Sequence, residues 1–181
     1  MIKNLKILQL GDPGLRVPAS PVNDFSCEVF RELLSNLQTM MLEENGVGIA
    51  APQLGVALQV IIIASRPTKR YPSAPNMDAV VMINPRLTIA DSELNKDWEG
   101  CLSVPGIRAL VPRYKSVKVE YQDVQGKSIE MLLSDFPARV FQHEFDHLNG
   151  LVYLDRVENN RDIFSEGEFF KLINSQEQLA V

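Results

Sequence analysis

The stretch Phe141-Gln142-His143-Glu144-Phe145-Asp146-His147-Leu148-Asn149-Gly150 constrains the chain more than any other. It contains H-E-x-x-H, two histidines four apart with a glutamate after the first. On an α-helix, positions i and i+4 lie one above the other on the same face. His143 and His147 can therefore point at one metal ion, and Glu144, about 100° round the helix, can reach a ligand of that ion. The local signals agree with a helix. Ser134 or Asp135 can cap its start, Pro137 is tolerated in the first turn, and Asn149-Gly150 provides a stop. The whole chain has two histidines, and both are here.

The chain has 181 residues, with an apolar fraction of 45% and a charged fraction of 23%, as in an ordinary soluble globular protein. One domain is expected, long enough to bury most of its apolar surface in a single core. The net charge of −5 argues against broad binding to nucleic acid or to an anionic membrane. Residues 1–10 carry two lysines but no apolar targeting core, and no apolar run approaches the ~20 residues that span a bilayer. Two cysteines, Cys27 and Cys101, make no disulfide framework, so a reducing cytoplasm is expected.

In chain order, Leu8 to Pro21 is a Gly/Pro-rich surface loop. A first helix, capped by Asn23 or Asp24, is expected to run to about Glu44. Val29, Phe30, Leu33, Leu34, Leu37, Met40 and Met41 would form its buried stripe. Cys27, near its start, reads as a small packed residue. Next comes Gly46-Val47-Gly48-Ile49-Ala50-Ala51-Pro52-Gln53, a loose match to the dinucleotide pattern G-x-G-x-x-A. That pattern needs a strand before it and a helix after it. Here a helix precedes, Pro52 follows, and no Gly-Lys-Ser/Thr is present. The phosphate-loop reading fails, leaving a tight Gly-rich segment that lets the backbone approach something closely. Taken alone, Gln53 reads as a loop glutamine facing water.

Leu58 to Ile63 reads as a buried strand, Ser65 to Asn76 as an exposed excursion, and Ala79 to Ile83 as a second strand. Trp98 to Gly106 lies in a loop; Trp98 has no role that the sequence reveals. Ser116 to Tyr121 and Lys127 to Leu133 flank Gln125-Gly126 as an antiparallel hairpin. Leu151 to Leu154 is expected to add a short strand. The class is α+β, with short antiparallel or mixed strands around a central metal-binding helix. Residues 1–156 are expected to form one domain, the catalytic one if the metal helix is active. Residues 157–181 form a C-terminal tail that packs on the domain or on a partner subunit.

A catalytic ion of the zinc type takes three protein ligands and keeps one position open. No histidine follows His147, and the acids beyond it (Glu158, Glu166, Glu168) lie in a polar tail with no helical frame facing the site. Upstream, Cys101 offers the softest ligand in the chain; spacing alone leaves it equally a buried, inert thiol.

Three segments resemble the three signature motifs of peptide deformylases, in that family's order: Gly46 to Gln53, Glu99-Gly100-Cys101-Leu102-Ser103, and Gln142 to His147. The likeness spans roughly Leu8 to Arg156. It implies a metal-dependent hydrolase that removes the N-formyl group from the N-terminal formylmethionine of newly made polypeptides, releasing formate. By this resemblance Cys101, His143 and His147 bind one divalent metal ion, ferrous iron in the cell, with zinc, nickel or cobalt able to replace it. Glu144 is the general acid/base, and Gln53 with the backbone N–H of Leu102 steadies the oxyanion. For substrate, Gly46, Val47, Gly48 and Ile49 come from the first motif. Val140 and Phe136, on the same helix face as His143, complete an apolar slot for methionine. Glu99, Arg108, Arg113 and Asp146 are expected to form a polar layer orienting the ligands, in pairs the sequence does not reveal.

Many bacterial members end in a basic helix that docks on the ribosome. From Asp155 onward this chain has six acids (Asp155, Glu158, Asp162, Glu166, Glu168, Glu177) against three bases (Arg156, Arg161, Lys171). Any ribosome contact would be transient and not made through a basic tail. Phe164, Phe169, Phe170, Leu172 and Ile173 give the tail apolar surface to pack, in a monomer or a homodimer. Two rival readings remain. A zincin-like endopeptidase requires a third ligand after His147, and a non-catalytic metal-binding relative requires a lost Glu144 or Gln53.

Overall fold

The computed structural model describes residues 6–68 and 71–179, with side chains described to residue 175. Residues 1–5, part of the stretch read above for targeting signals, and residues 69 and 70 of the Pro-rich excursion lie outside the described residues.

A six-stranded antiparallel sheet carries the molecule, with β1 (Gly48–Ala50), β2 (Val60–Ser65), β3 (Met77–Cys101), β4 (Val104–Gln122) and β5 (Ser128–Ser134) in sequential order. The sixth strand, β6 (Ile163–Ser165), pairs with β4 at Ile107–Ala109, away from the Ser116–Gln122 part that β5 covers. Among the described residues three α-helices accompany the sheet: α1 (Glu28–Glu43), α2 (Asp135–Leu148) and α3 (Glu166–Leu179). The class is α+β, as expected. Among the described residues no helix is long and apolar enough to cross a membrane.

β2 explains the layering. All six of its residues are buried, because alternate side chains on a strand point to opposite faces and both faces here are covered. Val60, Ile62 and Ala64 pack with Phe30, Leu33, Leu37 and Met41 of α1. Ile61 and Ile63 pack on the other side with Ala138, Val140, Phe141 and Leu148 of α2. A strand covered on both sides reads as an unbroken apolar run, as this one does.

Several boundaries differ from those expected. α1 begins at Glu28 because the Asp24 carboxylate is taken by the Ser26 N–H and hydroxyl at 2.8 and 2.7 Å, a local turn, leaving Cys27 at the N-cap position. Val29 is not part of its buried stripe; one residue before Phe30, it faces solvent. The Gly-rich segment is partly strand, β1, and Trp98 to Gly106 is no loop. Glu99 and Cys101 end β3, Val104 begins β4, and the two join at a tight turn. Two strands are long, not short, kept in register over four irregularities. The central stretch of β3, Thr88 to Asp97, is exposed throughout, so it lacks the apolar alternation by which a strand is recognised. Leu151 to Leu154 forms no strand: a single 3-10 turn, Tyr153–Arg156, is closed by the Val152 N–H on the Asp155 carboxylate at 2.8 Å. The Gln125-Gly126 hairpin does form, with Gly126 at φ 79° and the Asp123 carboxylate accepting from both Gln125 and Lys127 N–H at 2.9 Å.

Candidate metal centre and active site

α2 enters directly from β5. Ser134 occupies the N-cap position but its side chain makes no cap; its hydroxyl lies 3.1 Å from that of Ser116, and Asp135 takes φ 53° to turn the chain. The helix is anchored by its flanks. Ten of its residues are buried, including Glu144, His143 and His147. Gln142 fixes its rotation by clasping β4, accepting from the Tyr114 N–H at 3.0 Å and donating to the Tyr114 carbonyl at 2.8 Å.

Across from α2, the β3–β4 turn brings Cys101 forward. Cys101 Sγ is 3.3 Å from His147 Nε2, and one donor atom from each of Cys101, His143 and His147 lies within 4.8 Å of the others. Among the described residues this is the group of three able to hold a metal ion. Glu166 and Glu168 belong to α3, outside that group, which removes the zincin arrangement. One sulfur and two imidazole nitrogens are a donor set suited to a borderline-soft divalent cation. Burial alone would raise the Cys101 thiol, but His147 and His143 outweigh it and hold the thiol well below its ordinary pKa. Burial likewise opposes protonation of His143, and Cys101 and Glu99 prevail, raising it well above its usual value. A thiolate beside imidazoles that attract protons is what a cation displacing those protons requires. The residues fit a metal.

Glu99 orients one ligand. Its Oε2 is 2.8 Å from His143 Nδ1, leaving Nε2 as the nitrogen available for coordination. Glu99 also accepts a two-pronged bond from Arg113, at 2.9 and 3.0 Å, and one from Arg139 at 2.8 Å. Arg113 continues to Asp146 at 2.6 Å, and Asp146 to Arg156 at 3.1 and 2.7 Å. Burial pushes the Glu99 carboxyl up, yet Arg113 and His143 hold it far below the usual range. Three of the four residues expected in this polar layer thus belong to one network. Arg108 stands apart and pairs with Glu166. Arg139, buried, and Arg156, exposed, are not legible in sequence as members of this network: their carboxylate partners are set by the fold, not by neighbouring residues.

Gln53 does not face water; it is 2% exposed. The 3-10 turn Ala51–Leu54 directs it inward, where its Oε1 accepts from the Ala50 N–H at 2.9 Å. Its Nε2 consequently points toward Ser103 Oγ, at 3.1 Å, and Cys101 Sγ, at 3.5 Å.

Glu144 lines one cavity with Gln53, Cys101 and His143. One of its buried oxygens, Oε2, has no hydrogen-bond partner in the protein, and burial pushes its carboxyl up to about 7 against the pull of both imidazoles. Its other oxygen sits over Gly48, where a Cβ would meet it at 2.3 Å. Gly46, Val47, Gly48, Leu102, Phe136 and Val140 line this cavity. Ile49 does not. Because Gly48 faces Glu144, the next side chain in the strand points the other way, and Ile49 is fully buried among the α1 contacts. Tyr71 was missed: the excursion carrying it is not wholly exposed, since Tyr71 lines the cavity and packs on Phe136 with ring centres 4.8 Å apart.

A sheet that presents a thiol to two histidines on one buried helix, with a glutamate beside them, defines a metal-dependent hydrolase. The family model for polypeptide deformylase matches residues 4–162. A curated relative, peptide deformylase 2 of Nostoc sp., is 46% identical over 93% of this chain and 94% of its own length. Peptide deformylase 1 of Nitrosomonas europaea is 45% identical over 86% of this chain and 88% of its own. Among solved structures, the Met-Ala-Ser-bound class I type b peptide deformylase of Acinetobacter baumannii superposes with a TM-score of 0.83. It is 45% identical, covering 87% of this chain and all of that one. The chain belongs to the polypeptide deformylase family, metal-dependent hydrolases that remove the formyl group from N-terminal formylmethionine.

Proposed function

We propose that Glu144, Gln53 and Leu102 carry the deformylation, that Cys101, His143 and His147 hold the ion, and that the ion in the cell is ferrous iron. The observation behind this reading is that a sulfur and two imidazoles cluster at the edge of a cavity that Cys101 and His143 line together with Glu144, one of whose buried oxygens has no partner in the protein. A divalent cation bound there supplies Lewis-acid chemistry, lowering the pKa of water from ~15.7 towards ~7. Glu144 takes the proton from the attacking water. Gln53, its carbonyl oxygen anchored on the Ala50 N–H, offers Nε2 to the charge that gathers on the former formyl oxygen, and the Leu102 N–H joins it. Glu144 then delivers its proton to the leaving nitrogen as the C–N bond breaks. Formate and a free N-terminal amine are the products, and the carboxylate is regenerated. The family's formylated nascent peptides supply the substrate. The acidic stretch after Asp155 favours acting without tail-mediated attachment to the ribosome.

The test is formate release from formyl-Met-Ala-Ser by protein prepared anaerobically with iron or nickel. No turnover by either form would overturn the reading. Zinc in place of iron in anaerobically purified protein would overturn the metal assignment alone.

Gly48 makes a sharper demand. Gly48→Ala must drive its methyl group into the Glu144 carboxylate, so kcat/KM is expected to fall by roughly 10²-fold with metal content unchanged, the scale of a misplaced catalytic group. Elemental analysis beside the kinetics separates this from metal loss. At the methionine slot, Val140→Asp places a charge where Phe136 and Val47 offer only hydrocarbon. Turnover of formyl-Met peptides should drop more than metal occupancy does, by at least about 10-fold, since a buried unpaired charge is strongly disfavoured. An unchanged kcat/KM would count against the slot.

A further inference from the structure

Arg108 forms a wall of the catalytic cavity, yet nothing in the deformylation chemistry accounts for how it is held. Only 5% exposed, it lines the cavity together with Phe136 and Val140. Its guanidinium covers Gly100 so closely that a Cβ there would meet Nη1 at 1.8 Å. The balancing charge comes from the C-terminal segment. Arg108 Nε and Nη2 donate to Glu166 Oε1 at 3.2 and 2.6 Å, and the guanidinium carbon lies 5.8 Å from the centre of the Phe169 ring.

The segment is built to deliver that carboxylate. β6 pairs with β4 beside Arg108, with Phe164 opposite it, and Glu166 follows one residue after the strand ends. Phe164 and Phe169 each close on Trp98 with ring centres 5.0 Å apart, and Phe169 is 2% exposed. Trp98 thus anchors α3, and Glu166 lies where it can grip Arg108 from behind the cavity wall.

An arginine in a cavity meant for a methionine side chain is a hazard. Unpaired, its charge would make burial of a hydrocarbon side chain against it costly through lost hydration, and would attract acidic groups. Both Glu99 oxygens already serve Arg113, Arg139 and His143, whereas Glu144 keeps an oxygen without a partner. A released guanidinium would share the cavity with the Glu144 carboxylate and would be free to draw on it or on an acidic substrate.

We propose that Glu166 is a positioning residue that sets substrate selectivity: acting through Arg108, it neutralises and pins the guanidinium against Gly100, so that the cavity accepts an uncharged side chain and rejects an acidic one. This rests on the reading that the first side chain of the substrate occupies the cavity of Phe136 and Val140. It makes the C-terminal segment part of the active site's specificity.

The experiment compares kcat/KM for formyl-Met-Ala-Ser with that for formyl-Glu-Ala-Ser in the full chain and in Glu166→Gln. The Met-over-Glu ratio should fall by at least about 10-fold, chiefly through a higher KM for the methionine peptide, as expected when discrimination is a difference between two binding energies. Glu166→Asp, which keeps the charge, should recover most of the ratio. Arg108→Met and the double variant R108M/E166Q should give equal ratios, because the effect of Glu166 on selectivity runs through the guanidinium. Should E166Q alone not fold, that equality carries the test, since the double variant lacks the unpaired charge. The emission of Trp98, the one tryptophan of the chain, reports whether α3 stays docked. An unmoved ratio in E166Q, additive effects in the double variant, or a ratio that shifts only where Trp98 emission shows α3 released would each overturn the proposal. A wild-type protein that releases no formate from the methionine peptide would instead overturn the reading on which it rests.

Discussion

Glu144→Gln is expected to lower kcat for formyl-Met-Ala-Ser by about 10²–10⁴-fold, the range general acid/base catalysis supplies, while metal content and KM change little. The substitution keeps shape and volume, so the fit over Gly48 and the helix packing survive. It removes the ability to carry a proton. Glu144 is 4% exposed, so bulk water has poor access to take over the transfer. The amide cannot accept the proton of the attacking water, nor return one to the departing amine, and both halves of the reaction suffer. KM is spared because Glu144 is assigned no ground-state contact with the peptide. Steady-state formate release, measured with elemental analysis on the same samples, checks this. A loss of less than about 10-fold with full metal occupancy would mean that another group moves the proton.

Glu99→Leu should be the most destabilising single change near the site. The carboxylate is 3% exposed and faces three partners, Arg113, Arg139 and His143. Removing it leaves two arginine side chains, each 5–6% exposed, without that counter-charge; Asp146 remains for Arg113 and backbone carbonyls for Arg139. Breaking a buried pair by deleting one member typically costs about 3–5 kcal/mol. For a chain of this size that corresponds to a fall in Tm on the order of 10 °C, readable by circular dichroism. Metal affinity should fall as well, by roughly 10–100-fold, because His143 loses the group that orients its ring. A variant melting within about 2–3 °C of the parent, which is about 1 kcal/mol for a chain of this size, would show that the surrounding carbonyls and Asp146 satisfy both arginines without Glu99.

How far the sequence could be read follows from the range of each signal. α1 and α2 announce themselves through periodicity and breakers within a single window, and the β4–β5 hairpin through Gln125-Gly126. Their ends shift where a side chain takes a different local partner, as Asp24 does with Ser26. The middle of β3 is invisible in sequence because Thr88 to Asp97 is exposed and leaves no hydrocarbon pattern. Cys101 was undecided by spacing, since its distance from the histidines in sequence says nothing of distance in space. The resemblance to deformylases supplied what the spacing lacked. Ile49 was misassigned because a strand sends neighbours to opposite faces, and the Gly-rich segment did not declare itself a strand. Arg139 and Glu166 could not be assigned at all. Their partners lie 40 and 58 residues away, and ion pairs across such separations follow from topology, not from neighbouring residues.

The two-sided covering of β2 reaches further than the stability of the sheet. β1 has only three residues, and its alignment is dictated by β2, with Gly48 opposite Ile63 and Ile49 opposite Ile62. A slip of β1 by one residue would turn Ile49 out of the α1-side core it shares with Ile62 and Gly48 off the Glu144 carboxylate, so hydrocarbon packing holds that alignment fast. The clearance over the Glu144 carboxylate is therefore gauged by aliphatic side chains that never meet the substrate. Greasy, chemically mute residues act as the jig in which the reactive atoms are mounted, and small changes in their shape should surface as errors of catalytic aim before they surface as unfolding.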